Sequence, residues 1–206
     1  MTPDRAASAT TSATISAEQA LVADRVPAGA RVLDLGCGDG ALLAHLQAHK
    51  GCTGYGVEID DANVLACARR GVNVVQLNLE DGLALFADRS FDVVLQLHTL
   101  QHLRNTEKML RETARVGRRG IVSFPNFAHW PNRLAVLAGR MPVTKTLPYQ
   151  WYDTPNIRVG TWADFEVLAR RNGLTIIDSF GCQAGRAVRW RPNLRASVAI
   201  FQIERG

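Results

Sequence analysis

The nine residues Val32-Leu33-Asp34-Leu35-Gly36-Cys37-Gly38-Asp39-Gly40 carry the pattern in this chain that is richest in chemistry. An apolar run meets an acid, three glycines follow at alternate positions, and an apolar helical pattern begins at Ala41. Glycines so placed let a strand turn sharply into a helix and let a ligand lie against main chain with no Cβ in the way. The spacing G-x-G-x-G is shorter than the G-x-G-x-x-G of dinucleotide enzymes. Asp34 and Asp39 flank the loop. Their carboxylates would repel a pyrophosphate and favour a ligand that is positively charged at that point.

Eighteen residues after Gly40 comes Glu58, followed by Ile59. A carboxylate there can accept both ribose hydroxyls of a nucleoside and would repel an additional ribose phosphate. Further on, Asn78-Leu79-Glu80 offers an amide donor and acceptor with an apolar face, as an adenine edge requires. Gln96 and Leu97 would floor the remaining part of the ligand. A nucleoside bearing a sulfonium and an α-ammonium fits this set, which reads as S-adenosylmethionine (SAM), or as S-adenosylhomocysteine (SAH), its demethylated thioether that keeps the nucleoside and the ammonium. The candidate binding residues are thus Asp34, Gly36, Cys37, Gly38, Asp39, Gly40, Glu58, Ile59, Asn78, Leu79, Glu80, Gln96 and Leu97.

Methyl transfer from SAM needs in-line approach of a nucleophile, with a base only where a proton must leave. The candidates for such a base are His98 and His102, four residues apart and expected on one helical face, and His129. Each also has a structural reading: His98 bonding a backbone carbonyl, His102 at the surface, His129 packed beside Trp130. No spacing of Cys, His and acids calls for a metal.

Elements that would position these groups follow from the alternation of short apolar runs with helical segments, the pattern of a parallel sheet covered on both faces. Strands are expected at Arg31–Asp34, Thr53–Ile59, Val72–Leu77, Phe91–Leu97, Gly120–Phe124, Leu174–Phe180 and Ser197–Ile203, seven in all. Helices are expected at Ala41–His49, from the Asp60/Asp61 cap to Arg70, and at Asn105–Arg115, the last with Glu107/Arg111 and Lys108/Glu112 as i,i+4 pairs. Residues 125–161 break the rhythm. They hold five of the eight prolines together with Phe127, Trp130, Tyr149, Trp151 and Tyr152. So many aromatics predict an ordered cap or partner surface over the carboxyl ends of the strands. Residues 1–19, rich in Ala, Ser and Thr, read as a disordered tail with a short helix from Ser16, and residues 20–206 as one domain.

The net charge of +5 is unevenly spread. Residues 1–103 hold 7 Lys/Arg against 12 Asp/Glu, and residues 104–206 hold 17 against 7. A basic second half points to a partner or substrate that is acidic where it meets that half, or else to a solvated basic face; the run Arg186, Arg189, Arg191, Arg195 has only Trp190 as a close aromatic, which favours an acidic protein partner over nucleic acid. Cys37, Cys52, Cys67 and Cys182 form no C-x-x-C motif, so a reduced cytoplasm is expected. No apolar run reaches membrane-spanning length.

Over residues 25–125, the glycine loop, the acid closing the second strand and Phe91–Leu103 (FDVVLQLHTLQHL) together resemble class I SAM-dependent methyltransferases. Arg119–Trp130 (RGIVSFPNFAHW), Arg140–Ile157 (RMPVTKTLPYQWYDTPNI) and Trp190–Leu194 (WRPNL) resemble the MetW family of methionine biosynthesis. Two positions depart from that pattern: Asn78 stands where an aspartate is common, and Ala41 where a glutamate is common. The resemblance implies a Rossmann-like α/β fold with a mostly parallel seven-stranded sheet, helices on both faces, and an aromatic insertion after strand five. It also implies a SAM-binding protein working beside homoserine O-acyltransferase as an activating or regulatory subunit. The alternative is a methyltransferase for a small molecule. A lid would leave a pocket beside Gln96–His102, whereas a partner surface would turn Trp151 and Tyr152 outward.

Overall fold

Strand β1 (Arg31–Leu35) is buried at every residue after the first, as a strand covered on both faces must be. In the computed structural model, which describes residues 15–206, β1 lies within an eight-stranded sheet. The others are β2 (Thr53–Glu58), β3 (Val74–Gln76), β4 (Phe91–Leu97), β5 (Gly117–Pro125), β6 (Leu174–Gln183), β7 (Arg186–Val188) and β8 (Val198–Arg205), in the order β3-β2-β1-β4-β5-β8-β6-β7. β1 to β5 pair in parallel; β8, β6 and β7 join antiparallel. The chain winds outward from β1 to β3 and then restarts on the other side of β1 with β4. In an open parallel sheet a ligand crevice opens at such a reversal, outside the carboxyl ends of the strands.

The expected count of seven strands is corrected to eight. The addition, β7, is a three-residue return of the chain after β6 through Ala184 and Gly185, both at positive φ (47° and 76°). Two such residues make the tight turn that matches strand twist. Its strand is too short to show a two-residue period in sequence.

Helices α1 (Ala17–Ala23), α2 (Ala41–Lys50) and α3 (Asp61–Arg69) supply Val22, Leu42, Leu46 and Cys67 to one core, against Val32, Leu95, Ile121 and Phe180 of the sheet. Helices α4 (Thr106–Val116) and α6 (Trp162–Arg171) supply Leu110 and Phe165 to the other, against Leu33, Val94, Val122 and Phe201. Phe201 is the anchor of α6: its ring lies 4.4 Å from Trp162 and 4.5 Å from Phe165. A buried aromatic of this kind contributes roughly 1.5–3 kcal/mol from apolar area alone. On α4 the Glu107–Arg111 pair forms at 3.6 Å. The expected Lys108–Glu112 pair does not, because Glu112 turns to Arg115 at 2.7 Å instead.

Helices α5 (Trp130–Leu137), α6 and α7 (Pro192–Arg195) lie outside the expected helices. α5 is illegible for a physical reason: only Asn132 of its residues is buried, so no apolar stripe faces a core. At the other end of the chain, residues 1–14 of the expected tail lie outside the described residues. The short helix expected from Ser16 is present as α1. Ser16 accepts from the Gln19 amide while the Gln19 side chain accepts from the Ser16 amide, a reciprocal cap that starts α1. Among the described residues no helix is long and apolar enough to cross a membrane.

Candidate functional site

The glycine loop leaves β1 at the reversal point and turns into α2. Gly36, Gly38 and Gly40 all have left-handed φ, at 75°, 55° and 75°, a region that non-glycine residues enter at a cost. The amides of Gly36 and Cys37 both donate to Val57 O, at 2.8 and 3.1 Å, which ties the loop to the end of β2. A Cβ on Gly36 would stand 2.8 Å from Thr99 Oγ1, and one on Gly40 2.8 Å from Cys67 Sγ. A Cβ on Gly38 would meet nothing within 4 Å. The middle glycine therefore faces open space, and the outer two are closed by protein. Beneath them Cys37 and Cys67 sit with sulfurs 3.7 Å apart, and Cys67 donates to Gly38 O.

The two flanking acids take different roles. Asp39 pairs with Arg70 at 2.5 Å and accepts from the Ala41 amide at 3.1 Å, so it starts α2 and is already neutralised. Asp34, 4% exposed, makes no hydrogen bond or ion pair through its carboxylate among the described residues. Burial first, and the charge of Glu58 second, push its carboxyl up to about 7. An unpartnered buried acid is costly unless a cation or donor meets it. Glu58 closes β2 and accepts from the amides of Gly38 at 2.9 Å through Oε2 and of Ile59 and Asp60 at 2.8 and 3.0 Å through Oε1. Oε2 keeps a second lone pair for a ribose hydroxyl. These residues fit SAM or SAH: Gly38 offers a bare cradle, Asp34 an acid lacking its counter-charge, and Glu58 a diol acceptor.

The residues expected to face an adenine differ in their surroundings. Asn78 is exposed, but its Oδ1 accepts from the Glu80 amide at 3.0 Å. Leu79 is packed into the core with Leu35 and Val57. Glu80 accepts from the Arg104 amide at 2.6 Å, which turns it to the start of α4. Gln96 is wholly buried, and neither atom of its amide has a partner within the described residues. Leu97 is half-buried against the α1 side. Thr99, which the spacing does not reveal, ties the ends of β4 and β1 by donating to Leu35 O at 2.8 Å.

The three histidines do not converge. β4 stops at Leu97, His98 takes φ 51°, and a 3₁₀ turn at Leu100–His102 follows. The expected shared helical face of His98 and His102 is thereby broken, because the left-handed residue reverses the chain before any helix forms. His98 Nε2 lies 2.9 Å from Glu18 Oε2 on α1, and Ser123 Oγ donates to Glu18 Oε1 at 2.9 Å. His102 Nδ1 is 3.2 Å from Pro155 O in the insertion. His129 stands immediately before α5, buried, with its ring edge-on to Trp130; burial lowers its pKa. Glu18 is the site residue that sequence reasoning misses, since it lies in the stretch read as tail.

The insertion is ordered and does two things at once. It roofs a cavity of about 490 Å³ whose lining includes Leu100, Gln101, Phe124 and Phe165 but no residue of the glycine loop, Asp34 or Glu58. It also turns Trp151 and Tyr152 outward, 72% and 71% exposed, with their rings edge-to-face at 5.6 Å. Leu134, Leu137, Met141 and Val159 are exposed on the same segment. In the basic run, Arg189 pairs with Asp178 at 2.9 Å, while Arg191 and Arg195 each lie 5.0 Å from the Trp190 ring.

Sheet order, reversal point and glycine loop define the class I SAM-dependent methyltransferase fold. Solved structures of that class superpose on most of the chain. An S-adenosylmethionine-dependent methyltransferase from Mesorhizobium loti gives a TM-score of 0.69 at 17% identity, covering 92% of this chain and 98% of that one. The magnesium protoporphyrin IX methyltransferase of Synechocystis PCC 6803, solved with bound SAH, gives 0.63 at 21% identity over 92% and 84%. Within that class the chain belongs to the MetW family: the family model for methionine biosynthesis protein MetW matches residues 16–203. The bifunctional methionine biosynthesis protein MetXA/MetW of Rhodopirellula baltica is 35% identical over 93% of this chain. The chain spans 33% of the length of that relative.

Proposed function

We infer that the chain binds SAM or SAH in the cleft above β1, β2 and β4 and serves as an activating or regulatory subunit of homoserine O-acyltransferase in cytoplasmic methionine biosynthesis. The observation that carries this reading is the outward face of the insertion. Trp151 and Tyr152 are large aromatics held in an ordered segment and left exposed by the described residues, and such exposed anchors are what protein interfaces are built on. Membership of the MetW family and a relative that joins MetXA to MetW in one chain support an acyltransferase as the occupant. Bound SAM carries a methyl group activated by its sulfonium; a sensing subunit needs only the ligand's charge and shape. Asp34 and Glu58 are placed to read those features. The coupling is reciprocal: a nucleotide that changes affinity for the acyltransferase is itself bound differently in the complex.

The test is acyltransferase activity with and without this chain, titrating SAM and SAH while following label from methyl-labelled SAM. A nucleotide-dependent change in acylation without label transfer is the expected result. Label transfer with no effect on acylation overturns it in favour of a small-molecule methyltransferase. One observation favours that second reading. The cavity beside Leu100 and Gln101 meets the expectation for a lid, and the His98–Glu18 pair can hold a proton acceptor at the end of β4.

A further inference from the structure

The cavity under the insertion is a built one. Its walls are Leu100, Phe124, Phe127, Leu147, Phe165 and Leu168, and at about 490 Å³ it falls in the range of sites that take small organic ligands. Its roof is anchored rather than draped. Gln101 O accepts from the amides of Ile157 and Arg158 at 2.9 and 3.1 Å, and the Phe127 amide donates to Gly160 O at 2.9 Å. Gln101, 7% exposed, donates through Nε2 to His98 O, but its Oε1 is buried with no partner among the described residues. A buried acceptor without a partner costs stability, and this one lies behind the cavity surface rather than on it.

Charge at the mouth points to the ligand's other end. Arg104 and Arg158 both line the cavity, and neither forms an ion pair among the described residues; the Arg158 guanidinium donates to the carbonyl of Arg104, at 2.9 Å. Of the acids at the same mouth, Glu107 is paired with Arg111 at 3.6 Å, while Asp164 keeps its charge but turns to the start of its own helix, accepting from the Thr161 hydroxyl at 2.6 Å. Two unpaired guanidiniums beside an apolar chamber suit a planar anion, which they can clasp with parallel hydrogen bonds.

We propose that this cavity binds an amphipathic carboxylate, its apolar body among Phe124, Leu147, Phe165 and Leu168 and its carboxylate held by Arg104 and Arg158. Because the cavity shares no residue with the nucleotide cleft, the site stands whether or not that cleft binds SAM.

The full chain is titrated with the fluorescent anion anilinonaphthalene sulfonate, and the bound dye is then competed with decanoate or decanol. Expected are saturable binding to one site and displacement by decanoate, with decanol weaker by roughly tenfold or more, the scale of a lost charge-assisted contact. Leu147→Trp and Leu168→Trp fill the chamber from the roof and from α6, and whichever folds by circular dichroism should lose dye binding. Arg104→Ala with Arg158→Ala changes two exposed side chains and should abolish the preference for decanoate over decanol. Trp151→Ser should leave the dye bound. Loss of dye in Trp151→Ser but not in the filled variants, equal competition by decanol, or no saturable binding would each overturn the proposal.

Discussion

His98 Nε2 and Glu18 Oε2 stand 2.9 Å apart across eighty positions of sequence, and this pair joins α1 to the end of β4. The same carboxylate accepts from Ser123 at 2.9 Å at the end of β5, so Glu18 staples α1 over two neighbouring strands. His98 is held in its left-handed conformation (φ 51°) by this contact and by its amide donating to Ser123 O at 3.0 Å. Glu18→Ala leaves the buried Ser123 hydroxyl without its acceptor. The expected loss is about 1–3 kcal/mol in denaturant unfolding, with faster proteolysis around Asp24 and Arg25. Glu18→Gln keeps an acceptor for Ser123 and should lose less. Unchanged unfolding of Glu18→Ala would mean that the staple holds nothing.

Asp34 makes nucleotide affinity and stability pull in opposite directions. Its carboxyl, raised by burial and by Glu58 to about 7 in the fold, stands at ~3.9 when unfolded. The folded chain therefore binds the proton more tightly, and stability falls as pH rises from about 4 to about 7, by about 4 kcal/mol if this group alone acts. Asp34→Asn should flatten that fall and melt higher than the native chain at pH above about 7. The ionised form is the one that meets a ligand ammonium, so native affinity for SAH should rise with pH through about 7. In Asp34→Asn that affinity should be weaker and flat in this range. Calorimetric titration at three pH values checks both, and a native affinity that does not rise with pH removes Asp34 from the site.

Where the chain must turn for a steric reason, the sequence is readable. The glycines at positions 36, 38 and 40, the acid at 58 and the parallel strand runs are all legible from residue type and spacing alone. Contacts made at long range have no such signature. Glu18 reaches His98, Thr99 reaches Leu35 O, and Arg70 neutralises Asp39, and none of these partners is implied by spacing. The contrast between Asp34 and Asp39 is likewise invisible in sequence, because both flank the loop and only tertiary pairing tells them apart. Helix α5 escapes notice because it buries so little, and β7 because a three-residue strand has no period to read.

Gly38 and Gly40 share a backbone conformation but not a neighbourhood, which separates binding from folding. Gly38→Ala adds a methyl to open space, so its cost is the left-handed backbone alone, roughly 1–2 kcal/mol. That methyl occupies the cradle, and SAH binding should fall below detection in a chain that still unfolds cooperatively. Gly40→Ala drives a Cβ to 2.8 Å from the sulfur of buried Cys67, which is itself bonded to Gly38 O. It should be the less stable of the two by thermal melting. Equal stability of the two variants would show that the loop relaxes freely around Cys67.

The outward aromatics give the sharpest separation of partner binding from everything else. Trp151 and Tyr152 are 72% and 71% exposed, and Tyr152 lies against Trp151, so replacing both with serine removes contacts chiefly with solvent. Unfolding should shift by no more than about 0.5 kcal/mol, and SAH affinity should stay as it is, because both rings face solvent. If these rings anchor the acyltransferase, their loss costs at least about 2 kcal/mol of association, close to thirtyfold in dissociation constant. Sedimentation of the mixed proteins and the acylation assay read the two consequences independently. Full association by the doubly substituted chain would move the partner surface away from the insertion, and the basic face around Trp190, where Arg191 and Arg195 flank the ring at 5.0 Å, would be the next to test by charge reversal.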